Sequence, residues 1–289
     1  MIAQLVFSGV ALGSMYSLVA LGYNITYATS QTVNFSQGQS VMLGAVVAYA
    51  LYVGLAWPFW AALPLTLLAL ALFGILVERV AVRPFLRARS IAWLLATIAV
   101  GIISENVTML LFGKDARAFP STLAVTPWTI LGAGVYPHEL LVPLVGLALM
   151  AAVELSFRRT LAGKALRAVS FSHDAAGLMG INVTRTIAAA YALSSLLAGV
   201  AGILLAPLLN VSATMGTTIG LKAFAVAIIG GIESPRGIVV AGILYGVFEA
   251  IVAGYLGTGV REILGFGLVV LVLLARPRGL FGQPAVRRV

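Results

Sequence analysis

The chain has 289 residues, of which 61% are hydrophobic and 9% charged, with a formal net charge of +9 and no cysteine; soluble globular chains run at roughly 45–50% apolar and about 25% charged. That composition excludes a water-solvated domain, a disulfide framework, and thiol or cysteine-metal chemistry. The positive charge does not point to nucleic acid, because the basic residues are parcelled into short loops without interleaved aromatics suited to base stacking.

No acidic or basic residue occurs before Glu78, and apolar runs this long carry Leu, Ala, Val and Gly on every face. A transmembrane β-barrel would instead show alternating segments of about ten residues. Helices are the remaining way to satisfy the backbone in hydrocarbon, so the expected fold is all-α, a polytopic transmembrane helix bundle of eight or nine segments in a single domain spanning 1–289. The first window, 2–28, lacks a basic leader and exceeds signal-peptide length, so it reads as a retained span.

A polar insert, Thr29 to Ser40, follows it. Its Asn34, Ser36, Gln37 and Gln39, flanking Gly38, place amides and hydroxyls next to membrane depth. Interrupted helices of this kind line solute paths in transporters; an ordinary interfacial loop is the alternative. Further windows fall at 38–56, 58–77 and 91–112, the last containing Glu105-Asn106, polar groups costly to bury unless they face protein or water. The segment 113–139 is polar and proline-bearing. After 140–157 comes a basic stretch, 158–185, with a short helix-like piece from Asp174 to Met179. The acid suits its start and Gly180 its end. Such a helix can dock into a groove of a soluble partner; a membrane-surface loop held by its charge is the alternative.

The windows 186–208, 237–255 and 261–275 complete the set, with 221–232 short and opened by Lys222. Gly199-Val200-Ala201-Gly202, Gly242, Gly246 and Gly254 suit close helix packing, and Glu249 suits an interhelical hydrogen bond. Gly230 to Gly237 is either a tight turn or a second interruption echoing the first. His138 and His173, without partners at metal-ligand spacing, read as solvated loop residues.

Orientation follows from the basic clusters. Arg79, Arg83, Arg87 and Arg89, then Arg158, Arg159, Lys164, Arg167 and Arg185, then Arg276, Arg278, Arg287 and Arg288 make up 13 of the 18 Lys and Arg. The positive-inside rule assigns all three regions to the cytoplasm. Parity between Arg185 and Arg276 then requires an even number of crossings, which favours nine in total, with 221–232 among them. Three crossings before Glu78 place the N-terminus outside, and a re-entrant piece at 29–40 would reverse that. Neither Gly113-Lys114 nor Gly163-Lys164 has the surrounding residues of a P-loop, so any ATP is hydrolysed by another chain. A secondary transporter is disfavoured by the absence of a charged relay through the spans.

The strings Gly9 to Leu18, Val33-Asn34-Phe35-Ser36-Gln37-Gly38-Gln39, Glu78 to Pro84, Gly163 to Asn182, Gly220 to Phe224, Gly230-Gly231-Ile232 and Pro277 to Gly282 together resemble, over nearly the full length, the H-type permease subunit of branched-chain amino-acid ABC importers. The resemblance implies a multi-pass protein of the bacterial inner membrane that carries branched-chain or other hydrophobic amino acids by ATP-driven alternating access. It implies a second, M-type permease, two cytoplasmic ATPases carrying ATP and Mg, and a periplasmic solute-binding protein, with no cofactor on this chain. It also implies a coupling helix formed by Asp174, Ala175, Ala176, Gly177, Leu178, Met179 and Gly180, within the loop 158–185. The expected solute path comprises Asn34, Ser36, Gln37, Gly38, Gln39, Glu105 and Asn106. Where the family pattern reads Asn-Phe-Ala-His-Gly-Glu, this chain has Asn34-Phe35-Ser36-Gln37-Gly38-Gln39, which leaves urea, short amides and aromatic acids as alternative solutes.

Overall fold

The computed structural model describes residues 2–88, 90–130 and 133–282; Arg89, Arg287 and Arg288 of the basic clusters lie outside the described residues. In chain order the helices are α1 (Ile2–Ser30), α2 (Gln37–Tyr49, extended by a π turn over Ala50–Gly54) and α3 (Phe59–Val77). A π turn over Glu78–Val82 joins α3 to α4 (Arg83–Arg87), and α5 is Trp93–Phe112. After a short antiparallel pair, β1 (Trp128–Ile130) and β2 (Ala133–Val135), come α6 (Pro137–Arg159), α7 (Leu161–Phe171), α8 (His173–Leu178), α9 (Val183–Leu209), α10 (Met215–Gly230), α11 (Pro235–Leu256) and α12 (Thr258–Ala275).

Among the described residues, seven helices are long and apolar enough to cross a membrane: α1, α3 with its continuation to Leu86, α5, α6, α9, α11 and α12. Two shorter ones, α2 and α10, are packed among them. The 16 residues of α10 rise about 24 Å against a hydrocarbon core of about 30 Å, which a helix enclosed by protein tolerates. The apolar stretch expected at 221–232 covers the last ten residues of this helix and the first two of the turn that follows it. The first part of α10 was hidden because Gly216, Thr217, Thr218 and Gly220 dilute the hydropathy, and Lys222 lies well inside the helix and not at its start.

Close approach of backbones holds the bundle together, as it must where lipid provides no hydrophobic drive between helices. At the crossing of α1 and α11, a Cβ on Gly13 would lie 2.5 Å from the Gly242 carbonyl oxygen, and one on Gly9 2.6 Å from Val247 Cα. Gly44 of α2 meets the Gly199 backbone of α9, and Gly254 meets Leu5. The small residues in the later spans therefore pack helices.

Successive helices connect two ends of the bundle. At one end His173 Nε2 donates to the Thr29 carbonyl (2.7 Å), Asn24 Nδ2 donates to the Ile232 carbonyl (2.6 Å) and Leu280 N donates to the Ile229 carbonyl (2.7 Å). The basic regions gather here. At the other end Arg117 and Val211 exchange backbone hydrogen bonds (2.9 and 2.8 Å), and Ser8 Oγ donates to Glu139 Oε1 (2.6 Å). α10 runs between these ends, and residues 231–234 form a turn into α11 with Gly231 at φ +88.

His138 corrects an expectation. It is buried on the first turn of α6, where Nε2 donates to the Leu204 carbonyl at 2.8 Å. The helix starts earlier than the apolar window because Pro137 suits its first turn and Glu139 Oε2 accepts from Tyr136 N (3.1 Å). His173 is exposed, and its ring is tethered to α1.

Candidate functional site

The break between α1 and α2 begins with Gln31 at φ +56, a left-handed conformation in which a helix cannot continue. Thr29 and Ser30 turn their hydroxyls back to the Ile25 and Thr26 carbonyls (2.9 and 2.7 Å), and Thr32 Oγ1 lies 2.8 Å from Tyr191 OH. Asn34 Oδ1 then accepts from Ser36 N (3.1 Å) and Ser36 Oγ (2.7 Å), an Asx turn that launches α2. Gln37 is locked against α9: its Nε2 donates to the Ser194 carbonyl (3.1 Å), and its Oε1 accepts from Ser194 Oγ (2.9 Å). Asn34, Ser36 and Gln37 are fully buried. Their polar capacity is spent within the protein, which fixes the start of α2 in place.

One turn further, the surroundings change. Gly38 lies on the backbone of α10, where a Cβ would meet the Gly216 carbonyl and come within 2.9 Å of Gly220 Cα. That contact brings Thr217 to Gln39 and Glu105. Gln39 Nε2 donates to Glu105 Oε2 (3.3 Å) and to Thr217 Oγ1 (3.2 Å), while Thr217 Oγ1 donates to Glu105 Oε2. Gln39 Oε1 is buried without a hydrogen-bond partner. Three helices, α2, α5 and α10, thus bring an amide, a carboxylate and a hydroxyl together. The cluster opens outward, since Thr214, Thr217 and Thr218 are exposed and Glu105 is partly so. Asn106 does not join it; it is exposed and its Nδ2 donates to the Ile102 carbonyl of its own helix (2.8 Å). Adjacent helical residues point about 100° apart, so Glu105 and Asn106 cannot share one face.

A second polar centre lies among α1, α10, α11 and α12. Lys222 pairs with Glu249, both almost fully buried, and Tyr16 OH donates to Glu249 Oε2 (2.8 Å). Arg261 Nε approaches Glu249 Oε1 to 2.8 Å, and Lys222 Nζ lies 3.8 Å from Glu262. The formal charges of the two cations and two carboxylates cancel. Glu249 makes the interhelical contact expected of it, with more partners than its sequence neighbourhood suggested.

At the basic end, Thr160, Ser172 and Asn182 cap α7, α8 and α9 through the backbone N–H groups of Gly163 (3.0 Å), Ala175 (3.3 Å) and Arg185 (3.0 Å). Gly180, at φ +83, ends this short excursion. Ala176 packs inward with Val77, Val82, Val169, Ile187 and Tyr191. Asp174, Ala175, Gly177 and Gly180 face outward, with Leu178 90% and Met179 82% exposed. Through His173 and the Thr29 carbonyl, α8 is tied to the last turn of α1, just before the α1–α2 break.

Thr217, Ser194 and Tyr191 take part in these networks, although the expected solute path does not include them. The pair Ser194-Ser195 within an otherwise apolar run was the one available signal.

Residues 5–274 match the family described as "Branched-chain amino acid transport system / permease component". The chain is 32% identical to the high-affinity branched-chain amino acid transport system permease protein LivH of Salmonella typhimurium, over 99% of this chain and 97% of that one. It is likewise 32% identical to BraD of Pseudomonas aeruginosa, with the same coverage. A probable LivH of Methanocaldococcus jannaschii is 28% identical over 92% of this chain and 88% of its own length. Among solved structures, PsaBC from Streptococcus pneumoniae in complex with Fab aligns over 94% of this chain and 95% of that one, with a TM-score of 0.48 and 15% identity.

Proposed function

The chain belongs to the branched-chain amino acid transport permease family, and from that premise we propose that it is one of two membrane-spanning subunits of an ABC importer in the bacterial inner membrane. The translocation path runs between this chain and a second permease. Two cytoplasmic ATPases supply ATP and Mg, and a periplasmic binding protein delivers the solute. ATP-driven closure of the ATPases moves α8, seated in them, and rigid-body motion of the spans opens the path to each side in turn. The whole chain, 1–289, acts as one permease domain, with 158–185 as its coupling loop.

The observation that carries this reading is the Gln39–Glu105–Thr217 cluster, a polar opening at membrane depth that hydrocarbon cannot face at low cost. Gly38 sets its spacing, and Asn34, Ser36 and Gln37 hold its base. Asn106 stands on the adjoining face of α5. Glu105 also speaks to the solute. Whereas Glu249 meets two cations, the hydrogen-bond partners of Glu105 are neutral donors. Its carboxylate is available to a cationic group on the cargo, as in the ammonium of a zwitterionic amino acid. This favours a hydrophobic amino acid over urea, a short amide or an aromatic acid.

The test is uptake by the complete importer carrying Glu105→Gln. Loss of one charge-assisted contact, about 1.5–3 kcal/mol, predicts roughly a ten- to hundredfold fall in leucine uptake with the assembly intact. Undiminished leucine uptake would remove Glu105 from the path and leave the solute class open.

A coupling role for α8 is supported by outward Leu178 and the adjoining Met179, by the small outward residues Ala175 and Gly177 with Gly180 just beyond the helix, and by Asp174 in its first turn. An apolar tip this exposed at the basic end suits a groove in a soluble partner.

A further inference from the structure

The basic residues at the cytoplasmic end are not equivalent. Arg83 is held by Glu78 through two hydrogen bonds, Nε to Oε1 at 2.9 Å and Nη2 to Oε2 at 2.7 Å. Arg158 and Arg167 share Glu154. Arg79 and Arg185 are exposed, and among the described residues no carboxylate lies within ion-pair distance of either. Both line one groove of about 460 Å³ between the end of α3 and the start of α9, together with Arg83, Asn182 and Thr184. With Glu78 neutralised by Arg83, the groove carries two uncompensated positive charges.

Its remaining wall is aliphatic: Ile75 of α3, with Ala188 and Ala189 of α9. Leu65, Leu68, Leu72 and Ile75 recur at spacings of three and four along α3, so they form one stripe, and Arg79 follows four residues on in the π turn that continues the helix. The first three stand outward, 40%, 55% and 57% exposed. The groove is therefore the basic head of an apolar strip that runs toward the middle of the bilayer.

We infer that this groove binds an anionic phospholipid. The phosphate sits between Arg79 and Arg185, and an acyl chain lies along Ile75, Leu72 and Leu68. Guanidinium groups match phosphate oxygens with paired donors, and basic pockets between transmembrane helices on the cytoplasmic side suit lipid headgroups. Orientation by positive charge requires basic residues in the loop, but not their convergence on a groove whose floor continues into a lipid-facing stripe. A free phosphate would find the two arginines but has no use for the stripe.

The experiment is native mass spectrometry of the purified full-length chain, released from nanodiscs holding equal phosphatidylglycerol and phosphatidylcholine. Wild type should retain phosphatidylglycerol selectively. Arg79→Gln with Arg185→Gln should weaken that retention about twenty-five-fold, each basic residue near an anionic surface contributing about fivefold. Arg79→Lys with Arg185→Lys should recover part of it. Both arginines are exposed, so the variants should insert normally, and an unchanged melting temperature checks this. Equal retention of the two lipids, or a glutamine variant that retains phosphatidylglycerol like wild type, would overturn the inference. So would release of the lipid by millimolar inorganic phosphate, which would identify a free-anion site. In a parallel preparation of the chain with its ATPases, loss of the ATPases from the glutamine variant with lipid retention unchanged would assign the groove to protein contact and equally overturn it.

Discussion

Replacing Leu178 by Asp separates coupling from folding. Leu178 is 90% exposed at the tip of α8 and takes no part in the buried clusters of the bundle, so the substitution should leave the melting temperature of the isolated chain nearly unchanged. If α8 seats in an ATPase, the same side chain becomes buried there, and burying a leucine contributes about 1.5–3 kcal/mol. Losing it weakens ATPase docking about ten- to a hundredfold, and the new carboxylate adds a desolvation cost. The assay is permease-stimulated ATP hydrolysis in the reconstituted complex, alongside thermal unfolding of the isolated chain. Ala176 serves this purpose poorly: it packs inward against Val77, Ile187 and Tyr191, so a bulky replacement costs about 1–3 kcal/mol of overpacking and loses activity for the wrong reason. Gly177 provides the control, since a Cβ there meets open space and Gly177→Ala should fold normally. Wild-type stimulation in Leu178→Asp would refute the assignment of α8.

Gly38→Ala should cost about 1–3 kcal/mol, because the added Cβ meets α10 at the Gly216 carbonyl and Gly220 Cα; it should reduce uptake by displacing Thr217, read as a lower melting temperature with impaired transport. Lys222→Met alone should destabilise by about 3–5 kcal/mol by leaving Glu249 buried with one cation fewer. Lys222→Met with Glu249→Met should cost less than the sum of the two single changes, and strictly additive melting shifts would show that the pair is not coupled.

Much of the fold was legible because a bilayer leaves the sequence few options. Seven of the eight long apolar windows return as helices long and apolar enough to cross a membrane, and the eighth, 38–56, as the shorter α2 with its π turn. The short helix after Ser172 was legible too, since Asp174 and Gly180 mark its ends by charge and by backbone freedom. α10 was half hidden because threonines and glycines at Gly216 to Gly220 lower its hydropathy, although an enclosed helix need not be uniformly apolar. The polar cluster at Gln39 could not be assembled beforehand: Thr217 is distant in sequence, is uncharged, and reaches Gln39 only because Gly38 and Gly216 let two backbones touch. Helical geometry divides Glu105 from Asn106, a distinction that a reading of adjacent residues passes over. The partners of Glu249 come from three other helices, α1, α10 and α12, and burial made that charge costly without indicating who would answer it.

The decisive measurement is uptake of labelled leucine into proteoliposomes that hold this chain, its partner permease and both ATPases, with the binding protein supplied on the side opposite the ATPases. Uptake should require both ATP and the binding protein and should cease when either is omitted. Leucine transport by this chain alone, driven by a gradient without ATP, would contradict it.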